Sequence, residues 1–107
     1  MEEVIILPSL LAKMNDLVDI LFNEEYFALK ENAVKYVTAL IDFAYTIPIR
    51  QHYRTIQPKY GQWYCRYQPN KHTTWYITFD TDGTIYLVKN IINNHTKDYP
   101  TFIKGMS

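Results

Sequence analysis

Residues Trp75 to Ile92 constrain this chain more than any other stretch. They read Trp75-Tyr76-Ile77-Thr78-Phe79, then Asp80-Thr81-Asp82-Gly83, then Thr84-Ile85-Tyr86-Leu87-Val88-Lys89-Asn90-Ile91-Ile92. Two runs of β-branched and aromatic residues around an Asp-Gly pair predict a β-hairpin. Such side chains suit a half-buried pleated surface, and Asp-Gly adopts the positive φ of a tight turn. A third run, Gln62-Trp63-Tyr64-Cys65-Arg66-Tyr67, precedes it across the turn-like cluster Gln68-Pro69-Asn70-Lys71-His72. The expectation is a three-stranded antiparallel meander. Alternation would send Trp63, Cys65, Trp75, Ile77, Phe79, Ile85 and Leu87 to one face, and Tyr64, Arg66, Tyr76, Thr78 and Tyr86 to the other.

The residues before the meander must cover its apolar face. Val4-Ile5-Ile6-Leu7 is too short for a helix and reads as a buried or edge strand ending at Pro8. Ser9 suits a helix N-cap. Leu10, Leu11, Met14, Leu17, Val18, Leu21 and Phe22 then recur at spacings of three and four, which predicts a helix over 10–22. A second periodic segment runs from Leu29 through Ala33, Val34, Val37, Leu40, Ile41 and Ala44, and Pro48 stops it. Helices this close in sequence form an antiparallel hairpin. The predicted order is β-α-α-β-β-β: an α+β two-layer sandwich, one domain spanning 1–107, with the helical hairpin on one face of a mainly antiparallel sheet. The other face would lie bare.

The 107 residues suffice for one core without staples. A single cysteine, Cys65, excludes an internal disulfide framework and a multi-cysteine zinc site. With glycine only at Gly61, Gly83 and Gly105, no phosphate-cradling loop can form. The acidic start Met1-Glu2-Glu3 lacks the basic region of a signal peptide, and no apolar run is long enough to span a bilayer. Together these predict a soluble, cytoplasmic protein with no cofactor. The formal net charge of zero hides an asymmetry. Residues 1–47 hold three lysines against eight carboxylates, a net −5, and residues 48–107 hold eight cations against three aspartates, a net +5. One reading of that division is a polyanion-binding face; the other is acidic helices that merely precede a basic sheet.

Ten tyrosines raise the same pair of readings. Aromatic rings beside a cation suit stacking on bases and neutralising phosphate. Cross-strand aromatic pairing also stabilises a sheet, by about 0.2–1 kcal/mol per pair, and needs no ligand. Just past the last strand, His95, Lys97 and Tyr99 alternate, so an extended chain would project all three to one side. An imidazole there suits proton transfer at neutral pH, and a cation suits stabilising charge that develops on phosphate. No two histidines stand at ligand spacing, so no metal site is expected.

The runs Trp75-Tyr76-Ile77-Thr78-Phe79-Asp80, Gly83-Thr84-Ile85-Tyr86-Leu87-Val88 and Asn93-Asn94-His95-Thr96-Lys97-Asp98-Tyr99-Pro100 resemble the RelE/ParE toxin superfamily, most closely its HigB-type branch. The resemblance implies a RelE-like fold and the toxin of a type II toxin–antitoxin system, neutralised by a cognate antitoxin. It implies an mRNA endonuclease acting on the ribosome, in which a ribose 2′-hydroxyl attacks the adjacent phosphorus. Arg66 would contact that phosphate, Lys97 would stabilise the developing charge, and His95 or Tyr99 would move the proton. Lys59, Tyr64 and Tyr76 would bind substrate. Two alternatives stay open: a ParE-like gyrase inhibitor without catalytic residues, and an inactive protein-interaction module of the same fold.

Overall fold

The computed structural model describes residues 2–23, 28–95 and 99–104. Strand β1 (Glu3–Ile6) leads through Leu7 into helix α1 (Pro8–Asn23). The helix begins two residues earlier than its apolar stripe, because Pro8 fits a first turn where its missing N–H costs nothing. Ser9 therefore lies inside the helix. Helix α2 (Lys30–Ala44) ends short of Pro48, which sits in a separate 3-10 turn at Ile47–Ile49.

A two-residue strand, β2 (Tyr53–Arg54), and a 3-10 turn at Pro58–Tyr60 come next. The meander follows as β3 (Trp63–Asn70), β4 (Thr73–Thr81) and β5 (Ile85–Asn93), and a short helix α3 (Tyr99–Ile103) completes the order. The sheet order is β1-β5-β4-β3-β2, with β1 parallel to β5 and every other pair antiparallel. This is an α+β fold on an open, five-stranded mixed sheet. Strand β2 and helix α3 leave no periodic trace in the sequence, being shorter than any period. Among the described residues, no helix is long and apolar enough to cross a membrane.

Helices α1 and α2 pack on one face. Met14, Leu40, Ala44 and Ile47 meet Ile6, Cys65, Trp75, Ile77, Phe79, Tyr86 and Val88 in one buried cluster. The Trp75 indole N–H reaches the Tyr36 hydroxyl on α2 at 2.8 Å, so the buried ring keeps its hydrogen bond. His52, from the segment before β2, wedges against Phe79 at 4.9 Å and donates its Nε2–H to the Ile47 carbonyl at 3.0 Å.

Two expectations about the sheet need correction. The face assignment holds for β3 and β4 but inverts for the start of β5. Thr81 pairs with Tyr86, which sends the tyrosine to the helical side, where it is 7% exposed, while Ile85 faces outward at 42%. A bulge at Lys89 follows, since Thr78 pairs with Asn90 and Phe79 with Val88. The extra residue resets the phase, so Val88 and Ile91 both join the helical cluster and Ile92 faces away from it. Nor is the second face bare. Helix α3 lies on it, with Phe102 wholly buried against Tyr60 and Ile92, and Tyr64, Tyr76, Tyr99 and Ile103 packed around them.

The inverted register can be measured. Tyr86→Ala should cost about 3 kcal/mol or more in denaturant unfolding, in line with deletion of a buried aromatic ring. Ile85→Ala should cost less than about 1 kcal/mol, as for a surface position. Equal costs at the two positions would contradict this register.

Candidate functional site

The outer face carries a continuous aromatic array. Tyr53 of β2 stacks on Tyr64 of β3 at 5.4 Å, because the two residues are cross-strand partners. Tyr64 meets Tyr76 of β4 edge-on at 5.7 Å. Tyr76 in turn stacks on Tyr99 of α3 at 5.7 Å. Phe102 closes the array, at 5.4 Å from Tyr64, 5.2 Å from Tyr76 and 5.3 Å from Tyr60.

Arg66 stands at one end of this array. Its guanidinium lies 4.7 Å over the Tyr53 ring and donates to the Tyr53 hydroxyl at 3.1 Å. Beside it opens a cleft of about 470 Å³ lined by Phe43, Arg50, Gln51, Tyr53, Arg66, Gln68, Thr74 and Tyr76. Among the described residues, no carboxylate lines that cleft. Arg50 belongs to the segment after α2. It sits 4.8 Å over the Phe43 ring and donates from Nε to the Thr46 hydroxyl at 2.9 Å.

The expected site residues separate into two groups. Arg66, Tyr64, Tyr76 and Tyr99 come together on the outer face. Lys59 lies 5.1 Å over Tyr60 and reaches the group only through the Tyr60 and Phe102 rings. His95 is apart from it. Strand β5 ends at Asn93, whose side chain accepts the His95 backbone N–H at 2.8 Å and turns the chain. The His95 imidazole then donates from Nε2 to the His72 carbonyl at 3.2 Å, at the β3–β4 turn. Arg66 is in register with Tyr76 and Ile92, so His95 lies three residues beyond that line and two strands, about 10 Å, across. The extended alternation of His95 and Tyr99 is thus replaced by a turn and a helix. Lys97 lies outside the described residues.

Asn94 reinforces the turn. It exchanges hydrogen bonds with Thr74 and donates from Nδ2 to the His72 carbonyl at 3.0 Å. Arg50, Tyr53, Gln51, Gln68 and Thr74 are the cleft residues that sequence reasoning missed. The basic character of residues 48–59 was the available signal. Nothing in the pattern showed that a two-residue strand would fold this segment onto β3.

Two phenols of the array, Tyr64 and Tyr76, resist ionisation. Burial, and then a hydrogen bond with Tyr99, push Tyr76 up to about 12 from the usual 10.0. Burial likewise raises Tyr64, against the opposing pull of the Arg66 charge. Burial pushes the Cys65 thiol up to about 11, so it is no nucleophile at neutral pH. The outer face thus presents cations and neutral hydroxyls: donors fitted to an anion.

No family model matches the sequence, and neither a characterised protein nor a solved structure shows significant similarity to it.

The Tyr76 shift makes stability depend on pH. Its phenol ionises near 10 in the unfolded chain and near 12 in the folded one, so its contribution is complete below pH 10 and lost as pH rises through about 12. Chemical unfolding followed from pH 9 to 12 should show a fall in stability that Tyr76→Phe makes shallower.

Proposed function

We propose that this chain is the toxin of a type II toxin–antitoxin pair of RelE/HigB type, with a RelE-like arrangement of its α+β fold, and that it engages mRNA through the outer sheet face. The observation that carries the reading is Arg66, held over Tyr53 at the head of the tyrosine array and facing a cleft that no carboxylate among the described residues lines. The resemblance of the late strands adds the reaction. The ribose 2′-oxygen bonds to phosphorus as the bond from phosphorus to the 5′-oxygen breaks, leaving a 2′,3′-cyclic phosphate and a 5′-hydroxyl. Arg66 holds the phosphate and offsets the charge gathering on its oxygens. The Tyr99 hydroxyl, on the ring stacked against Tyr76, is the group that would protonate the leaving oxygen. His95 is the side chain suited to take the 2′-hydroxyl proton, and it must move from the His72 carbonyl to do so. The antitoxin is the protein partner this reading requires, and no cofactor enters the reaction.

The position of His95 favours a second reading, a ParE-like inhibitor that uses the same face to grip a protein such as gyrase and performs no chemistry.

Induced expression in bacteria separates the two. The cleaving reading expects growth arrest with mRNA cut inside codons and fragments ending in cyclic phosphate. Arg66→Ala should lower cleavage by roughly 10²-fold or more and relieve arrest. His95→Ala should lower it by roughly 10²-fold while the protein stays folded. Arrest with intact mRNA that persists in His95→Ala would instead select the inhibitor. Normal growth with a folded product would remove both.

A further inference from the structure

From Phe43 to Phe79 the chain contains no aspartate or glutamate, yet it holds Arg50, Arg54, Lys59, Arg66 and Lys71. The fold brings Arg50 and Arg66 from separate segments to the wall of one cleft. Among the described residues the ion pairs are Lys30 with Asp19 and Lys89 with Asp80, so neither arginine has a carboxylate partner. Two cations lining one cavity, with no carboxylate among its described lining residues, make it a favourable place for an anion.

Both guanidiniums are also held in place before any ligand arrives. Each rests on an aromatic face, Arg50 on Phe43 and Arg66 on Tyr53, and each makes one hydrogen bond to a neutral hydroxyl. A ring beneath the plane leaves the in-plane N–H groups free, and it reduces the side-chain entropy lost when they bind. The remaining lining adds the uncharged hydrogen-bonding groups of Gln51, Gln68 and Thr74. At about 470 Å³ the cleft falls in the range of small-ligand sites, roughly 300–1,000 Å³, and has room for more than a lone phosphate.

We infer that Arg50 and Arg66 form a two-guanidinium clamp for a backbone phosphate of single-stranded nucleic acid, with Gln51, Gln68 and Thr74 lining the space for the attached nucleoside. The inference rests on the proposal that this face binds RNA, and it adds Arg50 as a binding residue contributed by the segment after α2. Each arm of the clamp supplies a charge and a planar fork. The two can be told apart.

The experiment measures anisotropy of a short fluorescein-labelled oligouridylate with the full chain across a salt series, with inorganic pyrophosphate as competitor. Wild type binds, and log affinity falls linearly with log salt. Arg50→Gln and Arg66→Gln each weaken binding roughly tenfold and make the slope shallower by less than about 0.7, the share of one phosphate contact on a single strand, because the remaining arginine still holds the same phosphate. Arg50→Lys keeps the slope and loses affinity, because lysine retains the charge without the fork. This second variant decides the matter should Arg50→Gln fail to fold. Lys35→Gln, on α2, changes neither quantity. Unaltered affinity and slope in Arg50→Gln overturn the clamp, as does a wild type that fails to bind the oligouridylate. So does pyrophosphate that binds as tightly as the oligonucleotide, since the nucleoside would then contribute nothing. Growth arrest without oligouridylate binding removes the clamp and leaves the toxin reading standing. Binding without arrest does the reverse.

Discussion

The structure depends on the enclosure of β4. This strand is hydrogen-bonded along both edges, to β3 and to β5. It is also covered on both faces. Trp75, Ile77 and Phe79 are buried under α1 and α2, while Thr78 is wholly buried on the outer side and Tyr76 packs beneath α3. A strand shielded on every side gives its neighbours little choice of register, because a slip of one residue would exchange the two faces. The bulge at Lys89 reconciles that demand with the sequence of β5. It allows Tyr86, Val88 and Ile91 all to face the helices although they do not keep one alternating phase.

Much of this was readable in the residues, for definite physical reasons. Helix α2 and the β3–β4 hairpin follow from periodicity, since their apolar positions repeat over enough residues to leave a pattern. The inward turn of Tyr86 was not readable, because it depends on which residues pair across the Asp82-Gly83 turn and on an insertion that alternation cannot show. Helix α3 escaped for a different reason. Five residues make too short a helix to display a stripe, and Phe102 finds its burial against Tyr60, Tyr64, Tyr76 and Ile92, which no local period marks as its partners. The site was legible to a similar degree. Tyr64, Arg66 and Tyr76 share a face by simple alternation, whereas Arg50 reaches them through a two-residue strand. His95 was misplaced because the Asn93 side chain turns the backbone there.

The chemical character of the outer face follows from how its groups are held. The Tyr76 and Tyr64 hydroxyls, packed among rings, are pushed towards their protonated form by burial. Cations seated on rings are oriented by them. A surface of neutral donors and fixed positive charge recognises an anion through both its charge and its lone pairs. Burial, joined at Tyr76 by the Tyr99 hydrogen bond, sets the donors, and the absence of acid over 43–79 sets the sign.

Phe43 belongs to two systems at once. Its ring lies 4.8 Å from that of Tyr67 within the packing beneath the sheet, and its other contact carries Arg50. The last turn of α2 is therefore the foundation on which one wall of the cleft stands. Interior volume and surface recognition are mechanically joined at this one phenyl group. A change that merely loosens the scaffold there would blur where a guanidinium points, so selection on the cavity would also restrain a residue that never meets the ligand's charge.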